Sequence, residues 1–184
     1  MYKGFNKIFW GYLFLTFKIN LGPIPILPAF VSWIIIFNGI NIILSEKDNE
    51  NFRRAKALVF FQIFLGLIEM AIGIFQLQIV QDRIFLYMTP VGLVLNLIVY
   101  YFILEGSIDF ILEMDSYFYS SLNSTLKNII IFNVIFILII TGALAFPHDG
   151  ILIFGMILIV IMQIVFIYWV RKVRNRFEVK ILEE

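Results

Sequence analysis

Two charged side chains stand where a chain this apolar has little room for charge. Lys18 precedes Pro23, Pro25 and Pro28, and Glu69 lies inside the run Leu58 to Val80. A carboxylate within such a run is protonated, paired or in contact with water, because a bare charge at a helix centre costs about 2.5–3.5 kcal/mol. The chemistry on offer is the binding of an ion or a small polar solute. Gln62, Gly66, Glu69, Gly73 and Gln76 follow one another at spacings of four, three, four and three. On a helix they fall within about 80° of arc. Glycine permits close approach of a neighbouring helix, and amides hydrogen-bond across helices. The spacing therefore predicts a polar face of Gln62, Glu69 and Gln76 that looks into a bundle. Lys18 lies roughly 21 Å along its helix if that helix begins near Gly4, and Glu69 roughly 18 Å along its own. The matching depths predict a Lys18–Glu69 pair, with Gly11 packed near Gly66.

Catalytic and metal-binding patterns are missing. The chain has no cysteine, which removes disulfides, thiolate metal sites and cysteine nucleophiles. Its one histidine, His148, sits in Pro147-His148-Asp149-Gly150, where turn chemistry accounts for the composition. No His-Glu-x-x-His, Gly-x-Ser-x-Gly or glycine-rich phosphate loop is present. The expectation is a protein that is not an enzyme and uses no cofactor. A net charge of +1 gives no footprint for nucleic acid.

These residues must be positioned by helices in a bilayer. Of the 184 residues, 61% are hydrophobic, and mean hydropathy is +0.95. So much apolar surface requires lipid as solvent. Spans are expected at about 4–18, 28–45, 57–80, 84–104, 126–146 and 151–170, within one transmembrane domain covering 1–184. The fold class is all-α, an integral membrane bundle of about six transmembrane helices. Its first helix is short and leads into a Pro-rich outer turn. Lys3 and Lys7 ahead of an apolar core also fit a signal peptide, but no small-x-small cleavage site follows.

Charge sets the orientation. With the N-terminus in the cytoplasm, the inside receives Lys3, Lys7, Lys47, Arg53, Arg54, Lys56, Lys127, Arg171, Lys172, Arg174, Arg176 and Lys180. The outside receives Lys18 and Arg83 alone. That asymmetry places both termini in the cytoplasm of a cell membrane. Proline lacks an N–H and holds φ near −65°, so Pro23 to Pro28 suits an extended hairpin close to the outer interface. Segment 105–125 reads as a cytoplasmic amphipathic segment with an acidic stripe of Glu105, Asp109 and Glu113, which is either a solvated helix face or a strip that docks a partner or pairs with the basic tail 171–184. Asn38, Asn41, Asn96, Asn133 and Gln163 read as ordinary interhelical amides. Tyr100, Tyr101, Tyr168 and Trp169 read as an interfacial aromatic belt.

The stretch FKINLGPIPILPAFVSWIIIFNGI, with NLIVYYFILEGSIDF further on, resembles a group of small multi-pass membrane proteins of Gram-positive bacteria. The resemblance implies a bacterial multi-pass fold and brings no activity with it. That group carries carboxylates where this chain has Pro25 and Ala29, so no ion site at the turn is implied.

Two functions follow as expectations. The first is a non-catalytic membrane subunit that binds or moves a small solute or ion at Glu69, Lys18, Gln62 and Gln76. The alternative is an interaction protein, an immunity or regulatory partner of another membrane protein, docking through Glu105, Asp109 and Glu113. The expected partners are the lipid bilayer and either another membrane protein or further copies of this chain.

Overall fold

The computed structural model describes residues 1–17, 20, 21, 24, 25, 28–74, 78–112, 116–145 and 149–183. Six helices carry the chain: α1 (Tyr2–Thr16), α2 (Ala29–Glu46), α3 (Glu50–Ile74), α4 (Gln78–Leu112), α5 (Ser116–Ala145) and α6 (Asp149–Glu183). Between α1 and α2, β1 (Asn20–Leu21) pairs antiparallel with β2 (Ile24–Pro25), Asn20 opposite Pro25 and Leu21 opposite Ile24. Pro23, Ile26 and Leu27 of the expected Pro-rich turn lie outside the described residues. The fold class is all-α.

The helices close into a ring in chain order. Each packs on the next, and α6 returns to α1. One end of the ring gathers the start of α1, the end of α2, the start of α3, the end of α4, the start of α5 and the end of α6. Ring contacts show this: Phe5 meets Phe52 and Phe177, Phe52 stacks on Phe110, and Phe118 meets Trp169. Basic residues concentrate at that end, many laid over aromatic rings. Lys47 covers Phe110, Arg54 covers Phe102, Lys172 covers Trp169, and Arg174 covers Phe9.

In lipid, apolar burial no longer drives helix against helix, so close packing and interhelical hydrogen bonds must do it. Glycines provide the approach. A Cβ on Gly4 would lie 2.8 Å from the Gly39 carbonyl oxygen, and one on Gly39 would lie 2.7 Å from that of Gly4. Backbone thus touches backbone where α1 crosses α2. Gly11 faces the Ser32 carbonyl and Ile36, also on α2. Gly66 faces Phe30 on the other side of α2. The expected contact of Gly11 with Gly66 is therefore not formed: α2 lies between α1 and α3. Those two helices meet through Phe5 and Phe52 at the end that carries the termini.

The exterior is apolar. Phe60 and Phe64 of α3, Leu138 of α5 and Phe154 of α6 are each more than half exposed. Among the described residues, five helices are long and apolar enough to cross a membrane. The sixth, α1, has 15 residues, roughly 22 Å at 1.5 Å per residue, against a hydrocarbon core of about 30 Å.

Three expectations are corrected. Segment 105–125 is not a separate surface helix: residues 105–112 finish α4 and residues 116–125 begin α5. The basic stretch after residue 170 is no loose tail, because α6 continues through it and Phe177 is buried against Phe5. Tyr100 is no belt residue. It is 3% exposed and stacks on Phe166 with ring centroids 4.1 Å apart, because α4 turns that face inward. Trp169 is likewise buried, while Tyr168 is exposed and suits an interface.

Candidate functional site

Gln62 and Gly66 of α3 are buried, but Glu69, one turn further on, is exposed. The polar face therefore leans from the interior to an opening. The cause is the position of α1: it packs on α2 and α6, so nothing from α1 covers α3 at Glu69 among the described residues. The opening is a cleft of about 60 Å3 lined by Trp33 of α2, by Gln62, Gly66 and Glu69 of α3, and by Gly92 of α4, with apolar walls between them. A Cβ on Gly92 would meet nothing within 4 Å, so this glycine leaves open space where most residues would project a side chain. No basic side chain lines the cleft among the described residues.

Lys18 and Gln76 lie outside the described residues, so the expected Lys18–Glu69 pair does too. Glu69 and Gln62 are brought together in one cleft.

A second polar cleft, of about 20 Å3, lies between α4, α5 and α6. Asn96, Tyr100, Asn133 and Gln163 supply its polar walls. That volume suits about one water, which needs two to four polar partners. The Gln163 side chain hydrogen-bonds Tyr100. Asn133 donates from Nδ2 to the Ile129 carbonyl at 2.8 Å, which directs its own amide oxygen elsewhere. A side-chain contact links the walls of the two clefts: Gln62 Nε2 reaches Asn96 Oδ1 at 3.5 Å, the long limit of a hydrogen bond.

Tyr12 of α1 stands between the clefts. Its ring centroid is 5.9 Å from that of Trp33, which lines the first, and 5.2 Å from that of Tyr100, which lines the second. Its hydroxyl and that of Ser32 are buried with no hydrogen-bond partner among the described residues. An orphaned hydroxyl costs about 1–3 kcal/mol, and in native proteins such a group usually meets a water or a bound molecule.

Asn96, Asn133 and Gln163, which read singly as packing amides, converge on one space. One signal was available: Asn96 and Tyr100 are four apart and share a face of α4. Asn38, by contrast, is exposed and joins neither cleft.

The acidic stripe fares differently. Asp109 accepts from Asn49 Nδ2 at 2.8 Å and from Asn51 Nδ2 at 3.2 Å. Asn49 Oδ1 also accepts the Phe52 N–H at 3.1 Å, which caps the start of α3. Asp109 thus ties α4 to the α2–α3 turn. Glu105 is half-buried, and Glu113 lies outside the described residues. Among the described residues no three His, Cys, Asp or Glu side chains come together as a metal cage would require.

An apolar exterior and five helices among the described residues that are long and apolar enough to cross a membrane point to a multi-pass helical membrane protein. Comparisons with protein-family models, curated proteins and solved structures return no match for this chain.

Proposed function

We propose that this protein is a non-catalytic membrane subunit that binds or moves a small solute or ion through the polar interior that begins at Glu69. One observation carries the reading: the cleft at Glu69 and the amide-lined cleft at Asn96, Asn133 and Gln163 are bridged by Gln62. Ionisable residues inside membranes mark solute and ion paths more often than they mark packing. An amide placed only for packing needs one partner helix. Four polar side chains from three helices around a common space are better explained by something that occupies it.

The setting that goes with this reading is a bacterial plasma membrane, with both termini cytoplasmic. The clustering of basic residues at the end that carries the termini supports that orientation. The alternative, an interaction protein docking through the acidic stripe, is less favoured because two asparagines of the same chain already engage Asp109.

Native mass spectrometry of gently extracted protein tests the reading. The expected spectrum has a small non-lipid mass on the wild type that disappears in Glu69→Gln and in Asn96→Leu. A stoichiometric partner protein with no small mass would overturn it in favour of the interaction reading.

A further inference from the structure

The cleft at Glu69 also narrows what the solute is. We propose, resting on the reading above, that it seats one small monovalent cation, held by the Glu69 carboxylate, the Gln62 amide oxygen and the ring of Trp33.

Charge comes first. Glu69 is the one titratable group on the cleft wall among the described residues, and no basic side chain shares that wall. A carboxylate at bilayer depth calls for a compensating positive charge. Gln62 is oriented for the same task. Its Nε2 is turned to Asn96, so the carbonyl end of the amide remains as an acceptor. Trp33 adds an aromatic ring, the surface that best attracts a desolvated cation.

Size and valence follow. The space of about 60 Å3 holds a few waters, at about 10–15 Å3 of cavity for each. That admits an alkali-metal ion with part of its water shell, ammonium or methylammonium. Divalent ions fit poorly. Calcium takes about 6–8 oxygens, commonly from several carboxylates, and magnesium keeps its own waters. A single carboxylate would leave either ion with an uncompensated positive charge at membrane depth. Gly92 completes the argument, since any larger residue there would project into the open space.

The test uses the full chain in nanodiscs of zwitterionic lipid. Trp10 and Trp169 are replaced by Phe, so that Trp33 is the only tryptophan. Sodium, potassium, ammonium and methylammonium chlorides are titrated at constant ionic strength against N-methylglucamine, and Trp33 emission is read. A saturable change with at least one of them is expected. Tenfold or greater weakening is expected in Glu69→Gln and in Gly92→Leu, which keeps the carboxylate but fills the space. Tighter binding of ammonium and methylammonium would assign a nitrogen cation. Tighter binding of sodium or potassium would assign a metal ion. Either supports the site.

Three results would overturn it: no saturable response to any cation, binding undiminished in both variants, or a response that arises only in Lys18→Gln. The last would make the Lys18 ammonium the resident charge. If the native spectrum holds a neutral or anionic solute that Glu69→Gln loses, the solute-binding reading stands and the cation inference alone fails.

Discussion

At the scale of single residues, two kinds of glycine can be told apart by what a methyl group would meet. Gly39 abuts the Gly4 carbonyl, so Gly39→Val should lower resistance to denaturation by about 1–3 kcal/mol, through overpacking of α1 on α2. Gly92 abuts nothing, and Gly92→Ala should leave stability within about 0.5 kcal/mol of wild type. Unfolding in mixed micelles measures both. The sequence foretold that Gly11 and Gly66 serve close approach, but not against which helix. A glycine records that a neighbour is near and carries no mark of its identity. The same limit hid the second cleft. Asn96, Asn133 and Gln163 lie on three helices, and their meeting depends on a helix order that no local spacing encodes. Gln62 and Glu69 were legible because they share a single helix.

At the scale of elements, the α2–α3 turn is the best-tied joint of the described chain. Asn49 caps α3 through the Phe52 N–H and also holds Asp109 of α4. Asn49→Ala should cost about 1 kcal/mol, and hydrogen exchange should quicken in the first turn of α3 before elsewhere. Beside it, Arg53 hydrogen-bonds Asp48 and holds that carboxyl below its ordinary value of 3.8. The folded-state pKa is depressed, so what the pair contributes is present above that ordinary value and fades as pH falls through the lowered one. The helical, apolar character of the bundle was readable because lipid imposes a length of about 20 apolar residues on each crossing. The ends of α4 and α6 were not. Hydropathy marks where a helix leaves the membrane and says nothing of how far it continues in water. Phe177 shows the consequence: it is buried and stacked on Phe5 with centroids 5.2 Å apart. Phe177→Ala should therefore destabilise the bundle by about 3 kcal/mol. Truncation after Arg176 would unfold the end of the molecule before it tested any role in docking.

At the scale of the whole molecule, orientation is open to a direct check because the chain lacks cysteine. Asn175→Cys at the exposed end of α6 and Gly150→Cys at the start of α6 each introduce one thiol. A membrane-impermeant maleimide should label Gly150→Cys on intact cells and reach Asn175→Cys only after permeabilisation. The opposite pattern would invert the protein. The ring order itself bears on how the protein is made. Helix α1 is too short to be comfortable alone in a bilayer, and the surface that receives Gly4 and Gly11 belongs to α2. On the ribosome α1 precedes α2, so it emerges before the surface it needs exists. It is therefore expected to enter the bilayer together with α2. Entry of α1 into the bilayer is thus tied to that of α2, and a chain cut short within α2 should leave α1 at the membrane surface.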